Sequence, residues 1–359
     1  MSEKIDIYSM TEAELSEYFV SIGEKKFRAN QVFPKLASGL SINEMTDLSK
    51  TLRQKLESVT LDTLPRVKTK LVSKIDGTVK YLFELYDGEC IESVFMRYKH
   101  GNTLCISSQV GCRMGCKFCA STIGGKIRDL LPSEMIGQII AAEKDSGERV
   151  SNVVMMGIGE PLDNFDNVVK FLKLVNAESG LNIGYRHISL STSGIVPNIL
   201  ALSELDLPIT LSVSLHASSD EKRSQIMPIN NKWNISALLD ACRKYYLKTG
   251  RRISFEYTLI SGENDSHSDA LELATVLKKA FSGTGAPIHV NLIRVNEVKE
   301  SGFVQGSKES ANKFADALNS LGVVATVRRR LGTDVNAACG QLRRSQRENE
   351  TERKEVSTD

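Results

Sequence analysis

Cys112, Cys116 and Cys119 lie in the run GCRMGCKFCA, a Cys-x3-Cys-x2-Cys spacing that delivers three thiolates from one short loop and no fourth ligand beside them. An electron-transfer iron–sulfur cluster is closed by four cysteines, so a cubane held by three leaves one iron open to another ligand, for which a substrate is the obvious occupant. Two plainer readings stand beside this one. The trio could be part of a structural zinc site completed by His100 or His216, or three reduced, buried thiols. Zinc knuckles bring their ligands as two separate pairs, and this trio stands alone.

Cys339 is the second sharp feature. In DVNAACGQL its small neighbours leave the sulfur accessible, and Gly340 permits an irregular backbone. Arg328, Arg329 and Arg330 precede it and Arg343, Arg344 and Arg347 follow. Such surroundings favour the thiolate, which is the nucleophilic form. Cys105, on the strand-like run leading into the cysteine loop, is its natural counterpart; either could instead be an inert buried thiol. Cys90 and Cys242 read as inert, one in a hairpin strand and one on an amphipathic helix. Glu92, in CIESVFM, is either solvent-facing by alternation or a proton acceptor.

Further chemistry gathers just past strand-like segments. Met156-Gly157-Ile158-Gly159-Glu160-Pro161 offers glycines that let a ligand approach the backbone, or an ordinary strand-to-helix turn. Ser191 in SLSTSG, Ser214, Leu215 and His216 in SVSLHA, and Asn296 in LIRVN supply polar groups and backbone at other such ends. Taken singly, each is more often a turn or cap residue, and His216 a satisfied core histidine.

The elements that position these residues follow from periodicity. Residues 10–57 predict helices, with Thr11 and Glu14 as a capping box and Pro34 interrupting the second helical pattern. Alternating runs then turn at Asp76-Gly77, Asp87-Gly88 and His100-Gly101-Asn102, which are hairpin signals. After the cysteine loop the pattern predicts helices over 133–145, 165–177, 235–248, 268–281 and 310–321. Strands are predicted over 152–156, 187–191, 208–214, 252–260, 288–293 and 323–327. Strands alternating with such helices imply parallel βαβ crossovers. With TLCISS as the first strand, the expected fold is α/β, an incomplete (βα)6-type barrel with its chemistry at the carboxyl ends of the strands. The expected organisation is a helical accessory module over 1–62, a β-hairpin extension over 63–102, the partial barrel over 103–345, and a disordered tail over 346–359.

The seven cysteines, an odd number, favour metal binding and thiol chemistry over a disulfide framework. No run of about 18 apolar residues occurs, and MSEKIDIYSM has no signal-peptide pattern, so a cytoplasmic protein without a membrane span is expected. Net charge is only +2, but the C-terminal quarter is locally basic. Its arginines either track phosphates or form a solvated face.

Taken together, LCISSQVGCRMGCKFCAS, MGIGEPLDN, LSTSG, SLHA, NLIRVN and DVNAACGQL resemble the RlmN family of radical S-adenosylmethionine (SAM) enzymes, which methylate carbon 2 of adenine in 23S rRNA and tRNA. The likeness extends to RANQVF and IESVFMRY and leaves aside only the extreme C-terminus. It implies a radical SAM barrel with one [4Fe–4S] cluster on Cys112, Cys116 and Cys119, the open iron chelating SAM. Gly159, Glu160, Ser191, Ser214, Leu215, His216 and Asn296 are the implied SAM contacts. Carbon 2 is electron-poor and cannot attack a methyl group as an amine would, so a carrier is needed. The family mechanism uses two SAM per turnover. Cys339 takes a methyl group from one; the other yields a 5′-deoxyadenosyl radical that removes hydrogen from the S-methyl group, and the resulting methylene adds to the ring. Cys105 then captures the Cys339 sulfur as a disulfide, and Glu92 is the implied proton acceptor. The target adenosine must leave its stack to reach the mouth of a barrel. The implied partners are 23S rRNA, tRNA next to the anticodon and an electron donor such as flavodoxin or ferredoxin, with a monomer as the expected state. A sibling family that methylates carbon 8, and a non-catalytic iron–sulfur RNA-binding protein, are the alternatives.

Overall fold

The first helix starts where capping chemistry puts it. Thr11 caps α1 (Glu12–Ser21): its hydroxyl accepts the Glu14 N–H at 3.3 Å, and the Glu14 carboxylate accepts the Thr11 N–H at 2.7 Å. With α2 (Arg28–Ala37) and α3 (Lys50–Val59) it buries Leu15, Phe19, Val32, Phe33, Leu52 and Leu56 in an apolar core continuous with the rest of the molecule. Pro34 lies inside α2 instead of interrupting it. Its neighbours Phe33 and Leu36 are buried, and that packing outweighs the one N–H the proline cannot donate. The computed structural model describes residues 4–296, 302–335 and 342.

Three strands, β1 (Arg66–Val72), β2 (Val79–Glu84) and β3 (Cys90–Tyr98), run antiparallel into β4 (Gly101–Cys105). A short hairpin, β5 (Gln109–Gly111) and β6 (Lys126–Asp129), then precedes α4 (Pro132–Ser146). Alternation follows: β7 (Asn152–Met155), α5 (Phe165–Asn176), β8 (Ile188–Thr192), α6 (Val196–Ser203), β9 (Thr210–Ser214), α7 (Asp220–Ile226) and α8 (Ile235–Thr249). The series ends with β10 (Ile253–Leu259), α9 (His267–Ala280), β11 (His289–Arg294), α10 (Lys308–Ser320) and β12 (Val324–Val327). All these strands except β5 and β6 form one sheet in the order β1-β2-β3-β4-β7-β8-β9-β10-β11-β12. Every pairing from β4 to β12 is parallel, so the expected barrel strands are present and the hairpin extension is the antiparallel edge of the same sheet.

The sheet has one apolar face and one mixed face, polar across its parallel strands β8 to β11. Leu104, Val153, Leu190, Leu211, Phe255 and Val290 belong to the main core. Helices α4 and α5, α6 and α8, α8 and α9, and α9 and α10 pack side by side, as one helical layer requires. On the other face Ser189 meets Ser212 at 3.1 Å, Ser254 meets His289 at 3.0 Å, and Asn291 donates to Glu256 at 2.7 Å. A parallel strand sandwiched between helices is apolar on both sides. Here the inner face carries hydrogen-bonding groups.

After β12 the chain turns back toward the other edge of the sheet. Gly332 N donates to Asp76 at 2.9 Å, Lys74 N donates to Asp334 at 2.8 Å, and Leu331 packs in the cluster that holds Cys105. Three elements have no counterpart in the sequence reading: α6, α7 and the β5–β6 hairpin. Each is short, and α6 is too uniformly apolar to display a helical period.

Candidate metal centre

The cysteine loop is held by the hairpin from which it springs. Cys112 N donates to Gly125 O at 3.1 Å, and a Cβ at Gly111, which has φ +78°, would stand 2.0 Å from that oxygen, so only glycine fits. Gln109 then donates to Asp129 at 2.8 Å and Asp163 at 2.9 Å, while Arg113 and Lys126 pair with Asp163 at 2.5 and 3.0 Å. Burial opposes ionisation of Asp163, but these donors hold its carboxyl below the usual range. The result ties the loop to the segment after Glu160.

Cys112 and Cys116 are buried and Cys119 half-buried. Burial pushes the Cys112 thiol up to about 12, with the nearby Glu160 and Cys119 charges adding to it, and raises Cys116 well above its ordinary value. Thiols so placed ionise only beside a strong cation, which bound iron provides. No three His, Cys, Asp or Glu side chains among the described residues converge on a single ion. A cubane does not ask for that, since each thiolate binds a different iron. His100 lies before β4, at the end remote from the cysteine loop, and stacks on Tyr98. His216 accepts the Thr258 N–H at Nδ1 and sets its ring edge against Phe118 of the loop.

Around the loop stand the ends of β4, β7, β8, β9 and β11. Ser107, just past β4, donates to the Glu92 carbonyl at 2.6 Å and accepts the Ile158 N–H at 3.0 Å. Gly157 and Gly159 are explained by this joint: a Cβ at Gly157 would meet Ile106 O at 2.6 Å, and one at Gly159 would meet Gln109 N at 2.7 Å. Their openness is thus filled by the chain itself on that side. Glu160 is buried and accepts Leu162 N–H at 3.0 Å and Ser193 N–H at 2.6 Å. Burial raises its carboxyl pKa despite these donors. Ser191 and Ser214 are half-buried on the inner face. The Leu215 side chain is in the core, its N–H donating to Glu256 O and its carbonyl accepting from Arg223. His216 adopts φ +57°, unusual for a non-glycine residue. Asn296 accepts from Arg330 at 3.2 Å. The buried hydroxyls of Ser108 and Ser121 have no hydrogen-bond partner among the described residues. Polar groups left in that state beside three thiols suit a bound polar cofactor.

Cys105 is buried on the inner face with Val94, Met96 and Met156. Glu92 lies on that face of β3, 2% exposed, and pairs at 3.1 Å with Lys80 of β2, itself 1% exposed. Its solvent-facing alternative is therefore excluded. Lys80 was not singled out in the sequence, although equal parity with Glu92 on adjacent hairpin strands was a usable signal. Arg328 spans the inner face to the Met156 sulfur at 3.7 Å, and Arg329 and Arg330 are exposed. Cys339, Arg343, Arg344, Arg347 and the tail lie outside the described residues.

Two family models match the chain: the Ribosomal RNA large subunit methyltransferase N-terminal domain over residues 5–61 and the Radical SAM superfamily over 106–274. The chain is 53% identical over 348 residues to a protein of Alkaliphilus oremlandii named probable dual-specificity RNA methyltransferase RlmN, covering 97% of this chain and 100% of the relative. It is 52% identical to one of the same name from Clostridium botulinum strain Eklund 17B, over 95% of this chain and 96% of that relative. A crystal structure of a radical SAM methyltransferase from Sphaerobacter thermophilus superimposes with TM-score 0.88 and 40% identity, covering 94% of this chain and 98% of that one.

Proposed function

The chain belongs to the RlmN family of radical SAM enzymes, and from that membership we propose that it methylates carbon 2 of an adenosine in 23S rRNA, and of the adenosine 3′ of a tRNA anticodon, through an S-methylated Cys339. The observation that carries this reading is the placing of buried Cys105 on the inner face of the strand that leads straight into the three-cysteine loop. Membership also implies a [4Fe–4S] cluster and SAM, which together supply one-electron cleavage and hydrogen abstraction when bound.

The chain's own residues do the rest. Cys112, Cys116 and Cys119 would hold the cluster, and Gly159, Glu160, Ser191, Ser214, Leu215, His216 and Asn296 would contact SAM. Cys339 acts first as nucleophile toward a methyl group. The Cys105 thiolate then attacks the Cys339 sulfur, forming the S–S bond as the S–C bond to the base breaks; the departing carbon keeps the electron pair and takes a proton to become the new methyl group, and two equivalents of an external thiol, themselves oxidised to a disulfide, return both cysteines to the reduced state. Glu92 accepts the proton lost from the ring, and its pairing with Lys80 anchors the carboxylate on the side of the sheet that Cys105 shares. Residues 1–62 and the exposed arginines after β12 would grip RNA shape and phosphates, with 63–102 and 103–345 as extension and barrel. No helix among the described residues is long and apolar enough to cross a membrane. The reading also takes the protein to be a cytoplasmic monomer served by a flavodoxin or ferredoxin.

Anaerobic reconstitution with SAM, a reductant and rRNA or tRNA fragments tests the reading. The expected products are 5′-deoxyadenosine, S-methylated Cys339 and 2-methyladenosine in nuclease digests. 8-Methyladenosine would replace the regiochemistry with that of the sibling family. Absence of all three from cluster-loaded protein would leave a non-catalytic RNA-binding protein.

A further inference from the structure

Arg223, on α7, is fully buried, and no role above uses it. Its guanidinium donates to Leu215 O at 3.1 Å, Asn230 Oδ1 at 3.0 Å, Ser193 O at 2.7 Å and Ser214 O at 3.0 Å. All four acceptors are neutral. No carboxylate among the described residues lies within ion-pair distance of it. Asp220, whose charge acts on it, turns its Oδ1 to Ile235 N at 2.8 Å and Asn230 Nδ2 at 3.1 Å. An ion taken out of water costs several kcal/mol unless an opposite charge offsets it. Burial lowers the Arg223 pKa to about 10, with Cys116 the largest opposing influence, so the group remains a cation at neutral pH.

The cysteine loop packs on the same helix. Lys117 N, inside the cysteine loop, donates to Ile226 O at 2.9 Å, and Ile226 and Met227 share a buried cluster with Cys116. Arg223 is thus on a helix packed directly on the loop, and its fork spans the carbonyls after β8 and β9, beside Ser191, Ser214 and His216. Lysine has one point charge and could not bridge both loops in that way.

We propose that Arg223 is the protein's built-in counter-charge to the iron–sulfur cluster, a positioning residue whose fixed cation stabilises the one-electron-reduced state. This rests on the reading that the three cysteines hold a cluster. Reduction brings in one electron from an external one-electron donor and no proton, so the cluster becomes more negative by one charge while Arg223 keeps its proton. A cation held in a low-dielectric site favours that state.

The test is an EPR-monitored redox titration of reconstituted protein, comparing wild type with Arg223→Lys, Arg223→Gln and Asn230→Asp. Arg223→Lys keeps the charge and should retain the wild-type midpoint. Arg223→Gln should lower it, so that the reduced fraction at a fixed potential falls on the order of tenfold. Asn230→Asp sets a carboxylate on the same guanidinium without removing it and should act in the same direction, which keeps the test decisive if Arg223→Gln fails to fold. A second readout is the rise in melting temperature on cluster loading, expected to be smaller in Arg223→Gln than in wild type. Fully loaded proteins with equal midpoints across wild type and both neutralising variants would overturn the proposal alone. A wild-type chain that takes up no cluster would overturn the cluster reading and this proposal with it.

Discussion

Cys105 gains its meaning from its neighbours. It is enclosed by Val94, Met96 and Met156, on the face that also carries Glu92 and Lys80, so its sulfur is screened from bulk solvent on the inner side of the sheet. Cys105→Ser should leave SAM cleavage and methylation of Cys339 intact but stall product release, giving a protein–RNA band that survives denaturing electrophoresis. Free methylated RNA at the wild-type rate would count against a resolving role. His216 makes a different point. Burial, aided by the Arg223 charge, lowers its pKa from 6.5 to about 3. Between those values the unfolded chain binds a proton that the folded chain refuses, so stability falls as pH drops through that window. His216→Asn keeps an acceptor for Thr258 and tolerates the left-handed backbone. In urea unfolding of metal-free chain at about pH 8 and about pH 5, the variant should lose ~2 kcal/mol less than wild type on acidification. An identical pH dependence would show that the ring titrates freely. The cysteines announced themselves by type and spacing. Lys80 and Arg223 did not, because a charged residue in a short amphipathic run reads as solvated until the packing around it is known.

Short elements bear the active groups, and they were the hardest to foresee. The long helices α4, α8, α9 and α10 follow from periodicity, and their boundaries fall within a few residues of expectation. The β5–β6 hairpin is three residues paired with four, stabilised by Gln109, Asp163 and Lys126, which are distant in sequence. Helix α2 illustrates the reverse case, where a local rule is overridden. Pro34 cannot donate to the carbonyl one turn back, and Pro in a helix interior costs up to about 3 kcal/mol. Pro34→Ala should therefore stabilise the module by about 1–3 kcal/mol, visible as slower hydrogen exchange of the α2 amides, by about fivefold or more. Unchanged exchange would mean that tertiary packing already absorbs the whole penalty.

Across the molecule, the open sheet is spanned by its own chain. The segment after β12 reaches Asp76 and Lys74 on the far hairpin and lays Leu331 against the Cys105 cluster. That path sets three consecutive arginines at the carboxyl end of β12, where Arg328 and Arg330 make protein contacts and Arg329 is exposed. If Arg329 meets a phosphate, Arg329→Ala should weaken binding to cognate and non-cognate RNA alike and reduce the log–log salt slope by slightly less than about one unit. An unaltered slope would place the phosphate contacts elsewhere. The chain's alternation of helix and strand periods already specified a parallel α/β architecture, and the spacing of three cysteines already marked one short loop as a candidate metal site. Both are local properties, carried by neighbours in sequence. The polar inner face, the burial of Glu92 against Lys80 and the buried Arg223 guanidinium on the helix that packs on the cysteine loop arise only when strands far apart in the chain meet. Desolvation and charge pairing depend on that three-dimensional company, so only the folded molecule could decide them.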